Sequence, residues 1–158
     1  MDKKKIIRSH MFLTEKFDAN GLLLKIKARL VADGSMQDRS LFEKNDISSP
    51  TASIISLFIV IYIAVVQLRI MNTMDVEAAY LNAEVAPKTL YARISSIIAE
   101  FICILFPKYK YYLNSRGELL MEVRRALYGS VQAGALWHKL MSKTLVDFGY
   151  VPNTYDPC

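Results

Sequence analysis

Asp75 stands at the end of an apolar, β-leaning run (Leu68, Ile70, Met71, Met74) and is followed by Val76, two alanines and the aromatic Tyr80. Carboxylate oxygens are the preferred ligands of hard divalent cations, and small residues beside one leave the backbone open to a ligand. A second group lies in LLLKIKARLVA. Alternate positions on a strand share a face, so Lys27 and Arg29 point the same way, and a guanidinium fork suits phosphate. A third is Gln132, which follows a tight glycine turn in LYGSVQAGALW among small residues that admit either a ligand or a packed helix. Each also has an ordinary structural reading: a polar strand end, a solvated strand face, and helix packing.

The elements that would position these groups follow from periodicity. Residues 1–21 read as a basic, irregular N-terminal segment. From Leu22 the alternation predicts a strand with a basic face, and Asp33-Gly34 a turn. GSMQDRSLFEKNDISSP reads as loop. A helix is predicted from Pro50 to Val66, with Ser49 as N-cap and Pro50 at its first position. A strand through QLRIMNTMDV then leads to Asp75. LYAR predicts a short strand and Ser95 to Leu105 a helix stopped before Pro107. Tyr111 to Val123 predicts a hairpin turned by Asn114 and Gly117. Val131 to Phe148 predicts an amphipathic helix with Leu136, Trp137, Leu140, Leu145 and Phe148 as its buried stripe. This order is α+β rather than a repeating βαβ wind.

At 158 residues with 53% hydrophobic content, the chain is long enough for one domain with a core and too apolar for bulk disorder. A net charge of +5 is compatible with a polyanionic partner without demanding one, and the basic run MDKKKIIR reads as a solvated tail. Cys103 and Cys158 lie far apart, and His10 and His138 are isolated, so no metal or disulfide spacing is present. The N-terminus lacks the apolar core of a signal peptide, which places the chain inside the cell, in cytoplasm or nucleus. Thr51 to Leu68 carries no charge. A bilayer needs about 20 apolar residues, so the expectation here is a helix buried on all sides, with a single membrane pass over 51–68 as the opposing reading.

The stretches KARLVADGSMQDRSLFE, ISSPTAS, MDVEAAYLNAEV, RRALYGSVQAGALW and FGYVPNTYDPC occur in that order. Together they resemble the N-terminal part of a copia-type retrotransposon reverse transcriptase, over Leu24 to Cys158. The resemblance implies a right-hand polymerase fold, of which residues 22–158 hold the fingers and the first part of the palm. It implies that Asp75 is a palm metal ligand with the Val76 carbonyl beside it, for Mg²⁺ in a two-ion mechanism. It further implies that Tyr80 lies under the incoming sugar, that Ala78 and Ala79 offer N–H groups near the triphosphate, that Lys27 and Arg29 neutralise it, and that Gln132 packs near the nucleotide. The implied partners are an RNA or DNA template-primer, deoxynucleoside triphosphates and the rest of a retrotransposon polyprotein.

The sequence contains no Asp-Asp pair. In the family that motif supplies further catalytic carboxylates, so the expectation is a palm truncated before the Asp-Asp hairpin and inactive by itself. The alternatives are a non-catalytic remnant that binds nucleic acid, and the membrane reading.

Overall fold

The structure, a computed structural model, describes residues 5–156. The basic residues 1–4 and Cys158 lie outside that range. Strands β1 (Ile6–Phe17) and β2 (Leu23–Ala32) form an antiparallel hairpin, with Ser9 opposite Ala32 and Thr14 opposite Lys27. Asp18 closes its turn by accepting from the backbone N–H groups of Asn20 and Leu22, each at 2.9 Å, while Gly21 adopts φ 79°. An Asn-Gly step is a strong hairpin signal, because glycine enters the left-handed region at no steric cost.

The irregular segment expected over residues 1–21 is therefore corrected. From Ile6 onward it is a central strand, and position 21 falls inside the hairpin turn. Strand β1 pairs on both edges, antiparallel with β2 and parallel with β3 (Tyr91–Ile94) through Ile6–Tyr91, Ile7–Ala92 and Arg8–Arg93. A parallel partner so distant in sequence leaves no local signal.

Strand β4 (Leu119–Glu122) adds antiparallel to β3, giving a four-stranded mixed sheet in the order β2-β1-β3-β4. Ile7, Ile94 and Leu119 are its most deeply buried large side chains. Helix α4 (Ser96–Leu105) turns Ala99 and Cys103 inward and ends before Pro107, as its periodicity predicts. The hairpin predicted over Tyr111 to Val123 has only its second arm. Residues Pro107–Tyr112 are a 3-10 helix, and β4 takes β3 as its partner instead. The turn chemistry survives: Asn114 Oδ1 accepts from the N–H groups of Arg116 and Glu118.

Helix α1 is the single turn Lys44–Ile47, α2 runs Ile54–Val66, α3 is the single turn Ala79–Asn82, and α5 runs Ala133–Asp147. Helix α2 starts later than predicted, because Ser53 rather than Ser49 caps it: the Ser53 Oγ accepts from Ser56 N–H at 3.0 Å. It is also not a buried core helix, since only Ala64 on it is buried. Its 13 residues span about 20 Å against a hydrocarbon core of about 30 Å. Among the described residues no helix is long and apolar enough to cross a membrane. The strand predicted before Asp75 does not form. Residues 69–76 are irregular, with Leu68 and Ile70 at least nine-tenths exposed, because apolar alternation supplies no partner for the backbone. On α5, Leu136 and Leu140 pack against the core, but Phe148 is exposed rather than part of the buried stripe.

The accessible surface is 12663 Å², against roughly 8,000 Å² for a compact monomer of this mass. The excess comes from α2 and from the outer part of the β1–β2 hairpin, exposed over residues 10–17 and 23–29.

Candidate functional site

Remote stretches of the chain meet at the turn spanning residues 127–132. The end of β2 docks there first: Ala32 N–H donates to the Tyr128 carbonyl at 2.7 Å. Two glycines permit the crossing. A Cβ on Gly129, at φ 85°, would overlap the Ala32 carbonyl oxygen and come within 2.7 Å of Val31 Cγ1, and one on Gly34 would overlap the Gly129 carbonyl oxygen. Beyond the crossing, Gln37 reaches the same turn. Its Oε1 accepts from Val131 N–H at 2.8 Å, and its Nε2 donates to Gln132 Oε1 at 2.9 Å. Both glutamines are buried.

The Asp75 segment arrives from the other side. Tyr80 packs its ring against that of Tyr128, with centroids 4.6 Å apart. After α3 the chain pairs with residues 124–126, through Val85 N–H to the Arg124 carbonyl and Ala126 N–H to the Ala83 carbonyl. Arg125 Nη1 ties this contact down by donating to the Asn82 carbonyl at 3.0 Å and lying 3.4 Å from Glu84 Oε1. Ala78 takes φ 51°, a left-handed conformation that non-glycine residues seldom adopt. The N–H groups of Ala78 and Ala79 have no acceptor among the described residues.

The remaining two stretches close the arrangement from the α5 side. A Cβ on Gly134 would sit 3.2 Å from Ser49 Cβ, and the Ser53 N–H donates to Asp156 Oδ2 at 3.0 Å. All five motifs of the sequence resemblance are thus joined by direct contacts.

The candidate residues divide into two sets. Tyr80 and Gln132 are brought to the turn, with Ala78 and Ala79 next in chain to Tyr80. Lys27 and Arg29 share a face of β2 but lie farther out, opposite Thr14 and Phe12. Arg29 is about 10 Å along the strand from Ala32. Asp75 and Val76 sit on the exposed irregular segment, where Asp75 forms no hydrogen bond or ion pair with any described residue. No three His, Cys, Asp or Glu side chains gather among the described residues, so the residues present do not by themselves fit a two-ion centre. Sequence reasoning passed over Gln37, Tyr128 and the Gly34–Gly129 crossing. Gln37 lay inside a quoted motif, but a buried amide pair between positions 37 and 132 has no local signature.

Beside the turn, Asp33 has its carboxyl held below the usual carboxylate range, chiefly by the Ser35 hydroxyl, which donates to Oδ1 at 2.6 Å. Partial desolvation opposes this, while the Ser35 backbone N–H and the nearby His10 and Arg8 add to it.

The chain belongs to the reverse transcriptase (RNA-dependent DNA polymerase) family, whose sequence profile matches residues 1–156. It is 25% identical over 151 residues to the retrovirus-related Pol polyprotein from transposon RE2 of Arabidopsis thaliana, and 26% identical over 151 residues to that from transposon RE1. Each match covers 96% of this chain and 9% of the polyprotein, so the chain spans about a tenth of the length of these relatives. No solved structure matches it.

Proposed function

We propose that this chain carries the fingers and the first part of the palm of an RNA-directed DNA polymerase from a copia-type retrotransposon, as one portion of a longer polyprotein. On this reading the polymerase unit includes β1 as well as residues 22–158. The observation that supports the proposal is the meeting of the 27–43 and 74–85 motif stretches at the turn 127–132, where Tyr80 packs on Tyr128 and Gln37 pairs with Gln132.

Each residue takes its role from chemistry suited to that place. Arg29 and Lys27 supply positive charge for a triphosphate and template-primer. Tyr80 lies under the sugar, its ring braced by Tyr128. Ala78 and Ala79 offer backbone N–H groups that have no acceptor among the described residues, and Gln132 contacts the nucleotide. Asp75, with the Val76 carbonyl, is one ligand of a divalent ion, Mg²⁺ in this proposal. One carboxylate does not hold two ions about 4 Å apart, so the chain alone is inactive in primer extension.

The test is binding of a short template-primer, followed by fluorescence anisotropy from about 50 to 200 mM salt. Wild-type affinity should fall steeply with salt. Lys27→Glu with Arg29→Glu should weaken it more than tenfold and lower the salt slope by about 2. An unchanged affinity and slope in the double variant would overturn the assignment of the basic strand.

A further inference from the structure

The Gln37–Gln132 pair has a direction that the geometry determines. An amide side chain has an acceptor end and a donor end, and the two are ordinarily assigned from their surroundings. Here the assignment starts from a backbone group that can only donate. Val131 N–H meets Gln37 at 2.8 Å, so the atom there is the Gln37 oxygen. The other end of Gln37 is therefore its NH2, which lies 2.9 Å from Gln132 and must meet an oxygen. That commits the Gln132 carbonyl inward and leaves its own NH2 group facing away. Gln132 Nε2 has no acceptor among the described residues, and no buried side-chain nitrogen or oxygen in them lacks a partner, so this NH2 reaches the surface.

We infer that Gln37 is a positioning residue that sets the polarity of Gln132, so that Gln132 presents a hydrogen-bond donor, and not an acceptor, to an oxygen of the bound nucleotide. This rests on the nucleotide-binding reading of Gln132 above. A chain of two hydrogen bonds transmits the orientation: Val131 orients Gln37, and Gln37 orients Gln132. The burial of both glutamines keeps water from substituting for either partner. A donor-only contact matches the sugar and phosphate oxygens of a deoxynucleoside triphosphate and discriminates against groups that themselves only donate.

Gln37→Glu tests this, because it keeps the shape and inverts the polarity. The carboxylate it introduces still accepts from Val131 N–H, but its second oxygen now attracts the Gln132 NH2 and turns the Gln132 carbonyl outward. Met36→Glu, at an exposed neighbouring position, adds the same charge without touching the pair. The sequence has three glutamines, Gln37, Gln67 and Gln132, so side-chain amides of the ¹⁵N-glutamine-labelled chain are resolvable by NMR. In the wild type, the Gln37 amide protons should exchange slowly with solvent and those of Gln132 rapidly, and dTTP should shift the Gln132 signal. In Gln37→Glu, the Gln132 amide should become protected and dTTP binding should weaken about tenfold, the effect of one lost hydrogen bond to a charged ligand. Met36→Glu should bind within about twofold of wild type, since an exposed charge beside the pair leaves its hydrogen bonds intact.

A rapidly exchanging Gln37 amide with a protected Gln132 amide in the wild type overturns the polarity. Equal weakening by both charged variants overturns the positioning role, leaving simple repulsion. Wild-type exchange as expected, with no response of Gln132 to dTTP, means that the nucleotide reading has failed and takes the donor role with it, while the orientation of the pair stands.

Discussion

The ring of Tyr80 lies 4.6 Å from the ring of Tyr128, inclined by 35°, and this contact joins the Asp75 segment to the turn that receives β2. Both side chains are half-buried, so truncating either removes packing as well as the ring pair. Tyr80→Ala and Tyr128→Ala should each cost about 2 kcal/mol in urea denaturation. The double variant should cost less than the sum by about 0.5–1.5 kcal/mol, the coupling of an aromatic pair. Additive losses would show that the rings do not communicate.

The glycine crossing should be the least tolerant point in the fold. Gly129→Ala places a methyl group against backbone atoms of Ala32, where no flexible side chain can yield. A loss of about 3 kcal/mol or more is expected. Gly21→Ala is the internal comparison: φ is also positive there, but nothing lies within 4 Å of the new methyl. It should cost about 1 kcal/mol, from backbone strain alone. Similar losses at both sites would mean that the close approach at Gly129 is not what demands glycine.

Helix α2 should accept charge on faces that its sequence marks as core. Ile55 and Val66 are each more than three-fifths exposed, so Ile55→Lys and Val66→Lys should change stability by no more than about 0.5 kcal/mol. Both should also lower self-association measured by sedimentation, because an exposed apolar patch is the surface through which such a chain aggregates. Ala64→Lys, at the buried position of the helix, should cost about 2 kcal/mol or more.

Asp33 sets an acid limit on the loop after β2. The folded carboxyl is held below its ordinary value, mainly by the Ser35 hydroxyl. Its contribution to stability is therefore present above the ordinary carboxylate range and is lost as pH falls through the lowered folded value. Ser35→Ala should move the Asp33 titration, followed by carboxyl NMR, upward toward that of an unperturbed aspartate, with a small loss of stability near neutral pH that disappears at acid pH. A midpoint unmoved by Ser35→Ala would assign the depression to His10 and Arg8 instead.

Much of the positioning framework was legible because it is local. Strand β2, strand β3 and helices α4 and α5 follow from alternation, helical spacing and stops such as Pro107. What was missed depends on partners far along the chain. Asn20-Gly21 announced a hairpin, yet β1 was passed over because its apolar residues do not alternate cleanly and its parallel partner is β3. The uniform hydrophobicity of α2 suggested burial, and sequence alone does not reveal that the described fold leaves it uncovered. Asp75 was read as the end of a strand, but the segment before it has no neighbour with which to pair. At the site, the motifs named the right neighbourhoods, whereas the contacts that knit them, Tyr80 to Tyr128 and Gln37 to Gln132, appear only in three dimensions.

The parallel pairing of β1 with β3 and the clasp between Gln37 and Gln132, 95 residues apart, also set a timetable for synthesis. At roughly 5–20 residues per second, about 5–20 s separate the making of Gln37 from that of its partner. Until β3 is made, partway through that interval, the β1–β2 hairpin stands alone, and a two-stranded ribbon is at best marginally stable in water. The nascent chain thus carries an unpaired, apolar strand edge until its second half emerges, a period in which it is a natural client for chaperones.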